Sequence, residues 1–288
     1  MTNENEVAVA ILPYGVKFGL APSSFPLNDL HWPLGQPARL LGKLLSDLSP
    51  SDHLIIYPRG VEHIRPSFGT FAKISIMVVE PRAVHGRHMN LLRWSHRRFH
   101  RVLAADQNLL QSIPNGIFLP FGTTWVDDLA ALDVSKSDNI SLIASSKNDL
   151  LGHKLRHEVV DWARQNQVSV EVMGGGYRPF EKKSDGLAAY RFSVIIENVR
   201  EVNYFTEKLL DAVLCETVPI YWGCPNIDQF LATEGMILCD SKGAIQEAML
   251  SATQQLFEEK LPALRNIKEQ AVFWANLESR AAHAVLMN

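Results

Sequence analysis

Apolar residues fall along the chain in short blocks. "VAVAIL" from Val7, "HLIIYP" from His53, "KISIMVVE" from Lys73 and "GIFLPFG" from Gly116 are β-branched and aliphatic runs that predict buried strands. Between them, "QPARLLGKLLSDL" and the arginine-rich stretch from His88 to Phe99 carry helical spacing. The polar "LDVSKSDN" from Leu132 predicts a linker, and the alternation then restarts. Strand "ISLIAS", helix "HKLRHEVVDWARQ", strands "VSVEVMGGG" and "YRFSVIIEN", a helix from Thr206 and strand "VPIYWG" follow in order. From Lys242 the pattern is helical and is expected to break at Pro262. Strand–helix alternation predicts parallel sheets, so the fold class is α/β with two domains in tandem.

The chain has 288 residues, enough for two domains at about 100–200 residues each. The expected division is 1–130, 131–265, and 266–288 as a C-terminal helix packing back on the body. Hydrophobic residues make up 47% and charged residues 20%, so a large core can form. The net charge of −3 argues against bulk nucleic-acid binding. Cys215, Cys224 and Cys239 are an odd number with no paired spacing, which suggests a reducing cytoplasm rather than a disulfide framework or zinc knuckle. No run reaches the roughly 18 apolar residues of a membrane span.

"NYFTEKLLDAVLCETVPIYWG" contains the first chemical signal. Leu209, Leu210, Val213 and Leu214 define a helical face, and Thr206 has the side-chain oxygen of an N-cap. Lys208 therefore sits in the first turn, where the helix dipole disfavours a cation and a bound anion would favour one. Arg156, on the helix after "ISLIAS", can project toward the same carboxyl edge and offer a guanidinium fork beside the ammonium, a pairing suited to a diphosphate. Gly174 to Gly176, among them Gly175, let backbone approach a ligand, and Glu197 and Asn198 end the strand "YRFSVIIEN" at that edge. Neither a GxGxxG nor a Walker pattern is present.

These residues carry a resemblance. "YRFSVIIENVREVNYFTEKLLDAVLCETVPIYWGCP" resembles the signature of the family 10 α-1,3/4-fucosyltransferases: a strand ending in Glu-Asn, then Tyr-x-Thr-Glu-Lys, a helix, and a strand of the type Val/Ile-Pro-Ile-Tyr-Trp-Gly. "VMGGGYRPF" and the Arg156 helix resemble that family's glycine-rich turn and phosphate-binding arginine. The resemblance implies a GT-B fold, two Rossmann-like domains facing each other across a cleft. It implies that Arg156 and Lys208 pair with the diphosphate of GDP-fucose, that Asn198 and Tyr204 contact phosphates or sugar, and that Glu207 holds donor hydroxyls. The implied reaction is inverting transfer of L-fucose to a hydroxyl of a GlcNAc- or glucose-type glycan acceptor in α-1,3 or α-1,4 linkage. No cofactor or metal is required, although a divalent ion could stimulate. A GT-B transferase with another nucleotide sugar and a non-catalytic nucleotide- or glycan-binding protein are the alternatives.

Inverting transfer needs a general base. The family has a glutamate just after an N-domain strand, followed by Ser-Pro; here "IMVVEPR" supplies Glu80, followed directly by Pro81, with Glu62 and Asp106 as further carboxylates. Asp127-Asp128 stands at no strand end and makes no DxD metal motif. Residues 82–101 are rich in Arg and His and predict a solvated basic helix, with peripheral contact to an anionic acceptor or lipid-linked glycan as the alternative. His96/His100 and His153/His157 are spaced four apart but lack a third ligand, so no metal site is expected.

Overall fold

A computed structural model of the chain describes residues 6–127 and 129–288. Asp128, half of the Asp127-Asp128 pair, lies outside the described residues. The chain divides into two compact units, Met1–Pro120 with Leu277–Asn288, and Phe121–Asn276. These divisions, at 120/121 and 276/277, stand against expected ones at 130/131 and 265/266.

The first unit contains strands β1 (Val9–Ile11), β2 (His53–Ile56) and β3 (Lys73–Val78), helix α1 (Arg82–Ser95), β4 (Val102–Ala104), α2 (Gln107–Leu110) and β5 (Gly116–Phe118). The strands form one parallel sheet in sequence order, β1-β2-β3-β4-β5. β1, β2 and β4 are buried along their whole length, which is why they are apolar blocks rather than alternating strands. β4, like the two-residue strand Ile237–Leu238 of the second unit, is a strand the sequence pattern missed, because so few residues cannot show a period.

Two helix expectations are corrected here. Residues 36–48 form no α-helix but two 3₁₀ turns, Ala38–Leu40 and Leu45–Asp47. Gly42 reverses the chain at φ +68°, and Leu27 N and Leu45 N bond to Lys43 O and Phe25 O, so the backbone pairs with residues 25–27. Leu40, Leu45 and Leu48 still reach the core, and their spacing reflects that burial. The arginine-rich helix starts at Arg82, six residues before His88, with Pro81 as its N-cap, and ends at Ser95 in a 3₁₀ turn.

The second unit contains β6 (Asp138–Ile143), α3 (Leu151–Gln165), β7 (Glu171–Met173), β8 (Tyr190–Ile196), α4 (Glu207–Leu214), β9 (Val218–Trp222), β10 (Ile237–Leu238), α5 (Lys242–Ser251), α6 (Gln254–Asn266) and α7 (Lys268–Ala275). α8 (Leu277–Met287) returns to the first unit and packs on β1. Pro262 lies inside α6 and does not break it; the break is at Ala252, after which Thr253 caps α6. Both Pro262 and Glu258 are exposed, so the carbonyl deprived of its donor faces water.

The second sheet is also parallel, in the order β10-β9-β8-β6-β7. The chain moves outward from β6 to β7, then returns to β8 on the other side of β6 and continues to β9 and β10. That reversal makes a crevice beyond the carboxyl ends of β6 and β8, the usual ligand position in an open α/β sheet. The first sheet has no such reversal among the described residues. No described helix is long and apolar enough to cross a membrane.

Candidate functional site

The residues after β8 build the centre of this edge. Thr206 caps α4 in extended backbone, its Oγ1 accepting from Lys208 N at 3.3 Å. Glu197, wholly buried just past the end of β8, accepts from Thr206 N and Thr206 Oγ1, both at 2.8 Å. Lys208 Nζ lies 3.1 Å from Thr206 Oγ1, 3.2 Å from Glu207 Oε1 and 3.6 Å from Glu197 Oε2. The first-turn lysine is thus held over the helix start by two carboxylates.

Burial disfavours every charge here, and the neighbours decide each outcome. Burial pushes the Glu197 carboxyl up, with Lys208 opposing. For Glu207, burial is outweighed by Lys208 and Lys183, which hold its carboxyl down. For Lys208, burial is outweighed by Glu197 and Glu207, which hold its ammonium above the usual range.

Arg156, 5% exposed on α3, donates from Nε to Ile196 O at 2.9 Å, from its guanidinium to the same carbonyl, and from Nη2 to Asn198 Oδ1 at 3.0 Å. The arginine therefore sits at the carboxyl end of β8, as its spacing predicts. It gets there because α3 packs directly on this backbone: Gly152 N bonds Asn198 O at 2.9 Å, and a Cβ on Gly152 would lie 1.7 Å from Glu197 O. Gly152→Ala is expected to cost about 3 kcal/mol or more, since backbone rather than a flexible side chain would have to move. A thermal melt of the purified variant checks this.

Tyr204 is buried, 4% exposed, in the turn before the cap. Gly174 turns the chain after β7 at φ +114°, where a Cβ would clash with Ala144 O, whereas a Cβ on Gly175 would meet open space. His153 and His157, spaced like a metal pair, have separate partners. His153 meets Asp149 Oδ1 at 2.6 Å and Asn198 Oδ1 at 3.2 Å, and His157 meets Tyr177 Oη at 2.8 Å and Lys147 O at 3.0 Å. No group of three or more metal-ligating side chains occurs among the described residues.

The sequence reading missed two participants. Lys183, in the 3₁₀ turn Lys183–Gly186, lies with its Nζ 5.6 Å from the centre of the Trp125 ring. Burial lowers its pKa, and the charges of Glu207 and Asp211 oppose that. Asp211 is wholly buried one turn beyond Glu207; its Oδ1 accepts from Thr124 Oγ1 at 2.6 Å and Trp125 N at 3.1 Å, and its Oδ2 has no hydrogen-bond partner among the described residues. Neither was legible, because residues 124, 183 and 211 meet only through the fold.

Burial raises the Asp211 carboxyl from 3.8 to about 7. The folded chain keeps a proton that the unfolded chain releases near 3.8, so this contribution to stability is complete below that pH and is lost as pH rises to about 7. Asp211→Asn keeps an oxygen for Thr124 and Trp125. It is expected to match the parent near pH 4 and to exceed it by about 1–3 kcal/mol above pH 7. Paired melts across that range check the difference.

A cavity of about 260 Å³ opens at the same edge, beyond β9 and β10, lined among others by Arg200, Tyr221, Cys224 and Asp240. In the first unit, Glu80 follows β3 and is half-buried; burial raises the Tyr14 phenol pKa and the charge of Glu80 adds to it. Glu62 is buried with Arg65 Nε at 3.0 Å, while Asp106 caps α2 and pairs with Arg82 at 2.8 Å. Both further carboxylates are thus occupied in internal bonds.

Residues 135–253 match the family model "Glycosyltransferase family 10 (fucosyltransferase) C-term". The chain is 40% identical over 67 residues, 22% of its length, to the alpha-(1,3)-fucosyltransferase FucT of Helicobacter pylori, and 36% identical over 61 residues, 21% of its length, to an alpha-(1,4)-fucosyltransferase of Arabidopsis thaliana. The matched segments span only 14% and 15% of those relatives. The crystal structure of an alpha1,3-fucosyltransferase with GDP-fucose superposes with a TM-score of 0.53 at 18% identity, covering 83% of this chain and 79% of that one. The two sheets thus have the GT-B fold, and the family 10 resemblance holds over residues 135–253.

Proposed function

We propose, on the footing that residues 135–253 are a family 10 glycosyltransferase domain, that the chain is an inverting fucosyltransferase. It moves L-fucose from GDP-fucose to a hydroxyl of a GlcNAc- or glucose-type glycan, in α-1,3 or α-1,4 linkage. The observation that carries this reading is the ammonium of Lys208, seated over the start of α4 between Glu197 and Glu207 at the switch-point edge of the second sheet. A solved structure of this fold holds GDP-fucose, which supports the donor.

In this reading the diphosphate meets Lys208 and Arg156, and the negative charge that grows as the glycosidic bond breaks is stabilised there without a metal. Glu207 holds donor hydroxyls, Asn198 and Tyr204 border phosphates and sugar, and Gly175 leaves the backbone open to approach. Lys183 adds a third cation beside Glu207. Glu80 takes the proton of the acceptor hydroxyl as it attacks the anomeric carbon from the face opposite the leaving GDP. Three buried free thiols suit a reducing, cytoplasmic setting.

Calorimetric titration with GDP, UDP and CDP tests the donor. The expected result is selective GDP binding that weakens at least tenfold in Arg156→Ala, where a charge-assisted pair is lost. Preference for UDP would assign another nucleotide sugar to the same phosphate site, and absence of binding would remove the transferase reading.

A further inference from the structure

Helix α1 has two unlike sides. His85, Met89 and Leu92, spaced by four and three, are buried. Arg87 and Trp94, seven apart on the opposite side with Asn90 between them, are exposed, as are Arg93, Arg97 and Arg98. Trp94 is 87% exposed, an unusual position for the largest apolar side chain.

The 3₁₀ turn Gly60–His63 extends this face. His63 bonds Ser95 Oγ at 2.9 Å and His88 Nδ1 at 3.0 Å, and Arg98 donates to Arg65 O, which brings Ile64, 77% exposed, beside the C-terminal end of α1. Residues 82–105 contain no Asp or Glu. Glu62 and Asp106, the nearest carboxylates in sequence on either side of α1 after Glu80, are paired with Arg65 and Arg82. Burial lowers His63 and His85 to about 4, so the positive field comes from arginine.

We propose that this face docks on an anionic phospholipid bilayer, with Arg87, Arg93, Arg97 and Arg98 among the headgroups and Trp94 and Ile64 at the acyl boundary. An amphipathic helix with cations around one aromatic side chain is suited to lie in a membrane interface. Single-stranded nucleic acid is a poorer fit, because base stacking needs successive aromatic platforms and this face offers one. A glycan is also a poorer fit, because Trp94 projects outward rather than lining a concave site. The proposal is independent of the transferase reading.

The test is sedimentation of the full chain with vesicles of phosphatidylcholine alone and of phosphatidylcholine with phosphatidylglycerol. The expected result is pelleting with anionic vesicles only, reversed by salt. Each Arg→Gln change should lower the partition about fivefold, so Arg87→Gln, Arg93→Gln and Arg97→Gln combined should lower it about a hundredfold. Trp94→Ala should weaken binding and abolish the blue shift of tryptophan emission on vesicle addition. These side chains are exposed, so the variants should melt like the parent. Equal pelleting with neutral vesicles, no pelleting, or indifference to the triple change would overturn the proposal. So would retention on RNA or a sulfated oligosaccharide without vesicle binding.

Discussion

Lys208→Ala is expected to lose both GDP affinity and transferase turnover, the latter by about 10²–10³, as when one donor to a developing oxyanion is removed. The structure adds a second consequence. Glu197 is wholly buried and pairs with Lys208 at 3.6 Å, with Arg156 adding a second positive charge, so the change removes its ion-pair partner, and breaking such a pair costs about 3–5 kcal/mol. Lost activity alone would therefore not separate binding from folding. The double variant Lys208→Ala/Glu197→Gln separates them. An amide can keep the Thr206 bonds without a charge, so stability should recover in a melt while GDP affinity should not. Full transferase activity in Lys208→Ala would remove the diphosphate from this end of α4.

Glu80→Gln is expected to lower turnover by about 10²–10⁴, the usual worth of a positioned general base, and to leave the dissociation constant for GDP unchanged. Glu80 belongs to the first unit, and Lys208 and Arg156, proposed to meet the diphosphate, belong to the second, so chemistry and donor binding should be separable by mutation. Assays with GDP-fucose and a GlcNAc acceptor, beside calorimetry with GDP, give both quantities. Because Glu62 and Asp106 are tied to Arg65 and Arg82, Gln at either position should instead lower stability. Undiminished turnover in Glu80→Gln would require another base.

Much of the second unit was legible because its information is local. Glu197, Thr206 and Lys208 lie within twelve consecutive residues, where a strand end, a turn and a capped helix set their relative positions by backbone geometry alone. Arg156 was legible too, since a strand–loop–helix unit must bring its helix start back to the carboxyl edge. Parallel buried strands announce themselves as apolar blocks, which made the α/β class readable in both units.

The failures share a different cause. Leu40, Leu45 and Leu48 are spaced like a helical face, yet Gly42 and pairing with residues 25–27 set the backbone, because burial selects apolar positions without fixing the local conformation. β4 hid its period in three residues. Lys183 and the Thr124–Trp125–Asp211 bonds join residues up to 87 apart, and the close approach of Gly152 to Glu197 is a contact between a helix and a neighbouring strand end. The sequence by itself determined the strand blocks, the capped helix and the local placement of Lys208 and Glu197, since these depend on side-chain pattern and short-range backbone geometry. Only the tertiary structure decided which distant charges share one buried environment, because desolvation and pairing depend on everything packed around a group.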